Sequence, residues 1–285
     1  MIKNGITDPV NENTREISTA KLKNMLYISP TEPIVSIIKD HIPHRKKRKK
    51  VKFIDSESVS IYGPPPIYES VNTEDIIKEY ISACEKLKTK PLDCVLSQLG
   101  EYEVIQGRLP QLNLNGVRID FKSAESLEPI FVSVQTEKLF LENSISEESA
   151  CETLCGIIAF YSSVHALSIG SNTRIGLRGW SAISDMVSRS SELVELNLNR
   201  MIFTEQSVEL LSKALRKSQS LRVLRLANCY LNGSRLRYII QGISEGGTVE
   251  ELYLAENKIC ASDCHCIADV IKQNRSLRVL DLESN

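Results

Sequence analysis

Leu221-Arg222-Val223-Leu224-Arg225-Leu226-Ala227-Asn228-Cys229-Tyr230-Leu231 and, 28 residues on, Val249-Glu250-Glu251-Leu252-Tyr253-Leu254-Ala255-Glu256-Asn257-Lys258-Ile259 share one arrangement. An apolar residue is followed after two positions by a second and after one more by a third. Cys or Asn then stands three residues later, with an aliphatic residue two beyond it. Outward from this pair, the apolar triplet occurs at Leu109/Leu112/Leu114, Thr136/Leu139/Leu141, Val164/Leu167/Ile169, Leu193/Leu196/Leu198 and Leu277/Leu280/Leu282. Middle residues are spaced 27, 28, 29, 28, 28 and 28 along the chain. Alternation in Leu196-x-Leu198 puts both side chains on one face of a short strand and turns Asn197 to the other. Downstream, Val208, Leu211 and Leu215 recur at helical spacing, with Thr204 as N-cap and Ser207 beside it. A unit of one strand and one helix cannot bury its own apolar face, so stability comes from stacking units into one elongated core. Each buried leucine contributes ~1.5–3 kcal/mol to it.

This period and pattern are those of leucine-rich repeats of the strand-plus-helix class. The fold class is therefore α/β, a solenoid resembling the ribonuclease-inhibitor horseshoe. Asn172, Cys229, Asn257 and Asn285 occupy its Asn/Cys position. Its concave face carries Phe140, Asn197, Arg225, Tyr253 and Asp281, a mixed set suited to a protein partner. Residues 108–285 hold six complete repeats and a seventh that stops at Asn285, leaving Leu280 and Leu282 without a covering helix. The chain therefore reads as a fragment of a longer one. Residues 71–107 read as a helical cap of two helices, one through Ile76, Ile77, Tyr80, Ile81, Cys84 and Leu87. The other runs after Pro91 through Leu92, Val95, Leu96, Leu99 and Tyr102. Residues 1–70, broken by Pro30, Pro33, Pro43 and Gly63-Pro64-Pro65-Pro66, sustain no period and read as a disordered tail.

Composition narrows function. The chain is 42% apolar and carries 35 Lys and Arg against 36 Asp and Glu. Seven of those cations (Arg45, Lys46, Lys47, Arg48, Lys49, Lys50 and Lys52) fall within eight positions, which leaves 28 against 36, or −8, for the rest. A basic tail on an acidic body does not suit a protein that coats nucleic acid. With no 18-residue apolar run and no secretory leader, the expected location is intracellular, cytoplasmic or nuclear, with no membrane partner. Eight cysteines scattered among repeats suit a reducing compartment. Cys260-x3-Cys264-His265-Cys266 has no second ligand pair nearby in sequence, so these are read as core or helix-surface cysteines, with no metal and no cofactor expected. No hydrolase, phosphate-loop, zinc-protease or Cys-x2-Cys signature is present, and His41, His44, His165 and His265 pair with no obvious nucleophile. The chain is not read as an enzyme.

One short motif remains. Lys49-Lys50-Val51-Lys52-Phe53 resembles the segment by which regulators grip the catalytic subunit of protein phosphatase 1: a basic residue, Val or Ile, any residue, then Phe or Trp. As an added strand it places Val51 and Phe53 on one face for two apolar pockets, while Arg45, Lys46, Lys47 and Arg48 steer toward an acidic rim. A second match, Arg118-Ile119-Asp120-Phe121, serves as an internal control, because Ile119 sits at a core position of the first repeat and Phe121 opens its helix. A docking motif before a helix pair at 76–87, then repeats containing Ile175-Gly176-Leu177-Arg178-Gly179-Trp180 and Glu251-Leu252-Tyr253-Leu254-Ala255-Glu256-Asn257-Lys258, resembles the leucine-rich-repeat regulatory subunit 37 family of protein phosphatase 1. The resemblance implies a regulatory, inhibitory or targeting subunit, with the repeats recruiting a second protein. Lys52 stands where the family can carry a hydroxyl residue, so no phosphorylation switch is expected there. Trp180 and Arg178 are read as gap-filling ring and surface cation. The rival readings are a repeat scaffold whose basic run is only a nuclear import signal, and a GTPase-activating protein, for which no catalytic contribution is found.

Overall fold

The computed structural model describes residues 70–285. The tail, with its basic run and the motif at Lys49 to Phe53, lies outside the described residues.

Strand β1 (Val71–Asn72) leads into helix α1 (Thr73–Leu87), whose first turn is capped by Asn72 Oδ1 accepting from the Glu74 amide at 2.9 Å. Helix α2 (Asp93–Leu99) is tied to α1 by the Leu92 amide, which donates to Tyr80 Oη at 2.8 Å. Here sequence and structure differ: α2 ends at Leu99 rather than running to Tyr102. Gly100, a poor helix former, stops it, and β-branched Val104 and Ile105 form strand β2 (Val104–Ile105), antiparallel to β1.

The repeats follow as β3 (Arg108–Asn113), α3 (Phe121–Ser126), α4 (Glu128–Ser133), β4 (Gln135–Phe140), α5 (Glu148–Tyr161), β5 (Val164–Ser168), α6 (Leu177–Arg189) and β6 (Glu195–Asn197). Then come α7 (Glu205–Lys217), β7 (Val223–Arg225), α8 (Gly233–Gly246), β8 (Glu251–Tyr253), a 3₁₀ turn (Ala261–Asp263), α9 (Cys264–Gln273) and β9 (Val279–Asp281). Strands β3 to β9 form one parallel sheet in sequence order. Leu112, Leu139, Leu167, Leu196, Leu224, Leu252 and Leu280 stand in register across it, as the spacing requires. All but Leu280 are buried. Thr204 caps α7 and Ser207 completes the box, with the Ser207 amide donating to Thr204 Oγ1 at 3.2 Å. The first repeat has two short helices because Pro129, near the start of α4, has no N–H to continue α3.

The Asn/Cys positions form a ladder along the turn after each strand. Asn257 Oδ1 accepts from the Cys229 and Leu231 amides at 2.9 and 3.0 Å, and its Nδ2 donates to the Leu226 and Leu254 carbonyls at 2.7 and 3.0 Å. Asn285 repeats the pattern on Asn257 and Ile259, and Asn172 on Ser144 and Ile145. Ser144 donates its hydroxyl to the Leu114 carbonyl and Cys229 its thiol to the Leu198 carbonyl, at 2.5 and 3.2 Å. Asn172 and Asn257 thus satisfy buried backbone groups of the repeat before them. On the outer side, α8 approaches α7 through Gly242 and Gly246. A Cβ at Gly242 would stand 2.8 Å from the Ser212 carbonyl oxygen, and one at Gly246 would collide with that of Leu215. Trp180 is buried, its ring centroid 4.3 Å from that of Phe203, while exposed Arg178 pairs with Glu152 at 2.8 Å. Both match the packing role read from sequence.

Candidate functional site

The residue between the second and third apolar positions of each repeat faces the concave side, and the sheet sets these residues in one row. Register pairs Phe140 with Ser168, Ser168 with Asn197, Asn197 with Arg225, Arg225 with Tyr253 and Tyr253 with Asp281. The structure therefore brings together Phe140, Asn197, Arg225 and Tyr253, all of them half-buried. Two polar clusters organise the row. In the first, Ser168 Oγ and Asn197 Nδ2 both donate to Glu142 Oε1, at 2.5 and 3.2 Å. In the second, Arg225 Nε donates to Glu195 at 2.7 Å while its guanidinium lies 4.1 Å from the centre of the Tyr253 ring. Tyr253 in turn donates to Glu251 at 2.8 Å.

Burial would lower the Arg225 value, but the Glu195 carboxylate outweighs it and holds the guanidinium charged. Donation to Glu251, first, lifts the Tyr253 phenol above its ordinary value and keeps it neutral. The result is a preformed Arg-over-Tyr platform of the kind concentrated at protein–protein contacts. Sequence reading missed Ser168, Glu142, Glu195 and Glu251. Ser168 was findable, since it occupies the same repeat position as the residues chosen. Glu195 and Glu251 were findable too, since each sits two positions before a row residue and strand alternation puts it on the same face, whereas Glu142 lies two positions after Phe140, beyond the end of β4, where only the fold shows that it reaches the row.

The second docking-like match is fixed in the repeat, as expected. Ile119 is fully buried, its amide donates to the Ser144 carbonyl at 2.9 Å and its carbonyl accepts from the Ser146 amide at 3.0 Å. Phe121 begins α3, and its amide donates to Glu147 at 2.8 Å. Cys260 and Cys264 are exposed, while the Cys266 thiol donates to the Asp263 carbonyl at 2.9 Å. Among the described residues no helix is long and apolar enough to cross a membrane.

Strand order, register and the Asn/Cys ladder define a leucine-rich-repeat solenoid of the ribonuclease-inhibitor type. Over 198 residues the chain is 28% identical to mouse ribonuclease inhibitor, covering 69% of this chain and 42% of that one. No family model matches. Over 218 residues the chain is 33% identical to "Protein phosphatase 1 regulatory subunit 37" of Bos taurus, covering 76% of this chain and 31% of the relative. The Caenorhabditis elegans homolog is 30% identical over 218 residues, with 75% and 23% covered. The chain is thus related to the regulatory subunit 37 family of protein phosphatase 1, in vertebrates and nematodes alike, as its motif order implied. It spans between 23% and 31% of the length of these two relatives.

Proposed function

We propose that this chain is a non-catalytic regulatory subunit that binds the catalytic subunit of protein phosphatase 1 inside the cell. Lys50, Val51 and Phe53 make the docking contact, Lys49 and the flank Arg45 to Arg48 steer the approach, and the concave row recruits a second protein. The observation that carries this reading is the order of elements. A basic Val-x-Phe motif stands in front of a repeat array related to proteins named as regulatory subunits of that phosphatase. Val51 and Phe53 are the two apolar anchors that strand addition needs, and the second match is spent on the core at Ile119.

The test is binding of the full chain to purified catalytic subunit, with Val51→Ala/Phe53→Ala as the variant. Each lost anchor costs ~1.5–3 kcal/mol, so the double variant loses about a hundred-fold in affinity or more. Equal binding by variant and native chain defeats the docking assignment. No binding by either leaves the basic run as an import signal.

A further inference from the structure

Thr136 stands where every other repeat has leucine or valine at the first apolar position, and it is as deeply buried as Leu109 and Val164 on the neighbouring strands. Its hydroxyl oxygen has no hydrogen-bond partner among the described residues. Arg108 Nη1, Gln135 Oε1, Ser163 Oγ and His165 Nδ1, all of them buried atoms, share that condition. Buried polar atoms are almost always bonded, so such a concentration in three adjacent strands points to a ligand.

The sheet register brings these groups together. Arg108 pairs with Gln135, Thr136 with Val164 and Ala166 with Glu195. Arg108, Gln135, Ser163 and Glu192 therefore hold one equivalent position, at the entry ends of β3, β4, β5 and β6. Arg108 Nη2 donates to Glu192 at 2.7 Å, a bond that spans the two strands between them. Gln135 and Ser163, the residues it crosses, are both buried, and the Thr136 amide donates to the Ser163 carbonyl at 2.7 Å. Glu137 flanks the bridge, 3.9 Å from both Arg108 Nε and His165 Nε2.

The chemistry of the unpartnered atoms selects what they bind. Arg108 Nη1 can only donate and Gln135 Oε1 only accept, while the Thr136 and Ser163 hydroxyls do either. A metal cation would be repelled by the guanidinium, and an anion by Glu137 and Glu192. A neutral molecule that both donates and accepts suits the whole set, and water is small enough to enter a close-packed core. We infer that ordered water is bound beneath the Arg108–Glu192 bridge, with Gln135, Thr136 and Ser163 as its protein partners. It fixes the entry ends of β4 and β5, the strands that present Phe140 and Ser168 to the concave row. The inference is independent of phosphatase docking.

A dry site and a hydrated one respond to Thr136→Val with opposite sign. Valine has almost the shape of threonine; it removes an unbonded hydroxyl from a dry core, which is favourable, but strips a hydrogen bond from a buried water, which is not. In urea unfolding of the full chain, Thr136→Val should lower the folding equilibrium constant about 5-fold or more. An equal or higher constant overturns the inference. Oxygen-17 relaxation dispersion of the solvent detects water held far longer than at the surface. Its amplitude should fall in Thr136→Val and in Ser163→Ala, each checked for native circular dichroism, and an unchanged amplitude overturns the inference. Replacing sodium and potassium by choline at equal ionic strength should leave the unfolding midpoint where it is. A lower midpoint in choline would overturn the choice of water in favour of a bound cation.

Discussion

Replacing Asn257 by Ala tests the physical basis of the array more sharply than removing any leucine, because the effect comes from stranded polar groups. Its carboxamide is fully buried and bonds two amides and two carbonyls in adjacent turns at 2.7–3.0 Å. Alanine leaves the Cys229 and Leu231 amides, both of buried residues, with no acceptor. Each stranded buried donor costs about 1–3 kcal/mol, so the pair costs ~4 kcal/mol, near the upper end for a point substitution. Asn285 makes the same bonds at an exposed position, where water replaces them. Asn285→Ala should therefore cost ~1 kcal/mol or less. Urea unfolding followed by circular dichroism measures both. Native-state hydrogen exchange should show the Cys229 and Leu231 amides opening about a thousand-fold more readily in Asn257→Ala. A cost below ~1 kcal/mol, or equal costs at the two positions, would refute the argument that the ladder satisfies otherwise orphaned backbone.

Gly246→Ala gains helix propensity yet should destabilise by about 1–3 kcal/mol, since the added methyl meets the Leu215 carbonyl oxygen on α7. A rise in melting temperature would show that α7 and α8 can separate freely. Burial would raise the Asp263 carboxyl, but the amides of Cys260 and Gly233, at 3.1 and 3.0 Å, outweigh it and hold its value low. A depressed native value stabilises above the unfolded value near 4 and is lost as pH falls through the native one. Asp263→Asn should thus lower stability at pH 7 and flatten the acid limb below about pH 4, and an unchanged limb would count against the assignment.

Much of this architecture is legible because the repeat imposes strand register. Once Leu112 and Leu252 are recognised as equivalent, their depth and their neighbours follow. The concave row was legible for the same reason, position by position. What escaped were features that depend on breaking the pattern or reaching across it. The β1–β2 pairing joins segments separated by two helices and carries no periodic signal. Glu142 reaches Asn197 from two strands away, which only curvature reveals. The clearest missed sign was Met201: the ladder read as Asn172, Cys229, Asn257 and Asn285 skips one repeat, where a buried methionine stands in place of the carboxamide.

The central claim is that Val51 and Phe53 dock a phosphatase catalytic subunit, and a peptide spanning His44 to Pro64 isolates it from the repeats. Calorimetric titration of that peptide into purified catalytic subunit should give saturable one-to-one binding, with an association rate that falls as salt rises because the cations from Arg45 to Lys49 steer the encounter. The same peptide with Val51→Ala and Phe53→Ala should bind about a hundred-fold more weakly or worse. Absence of saturable binding by the native peptide at high micromolar concentration, or binding indifferent to the two substitutions, would contradict the account.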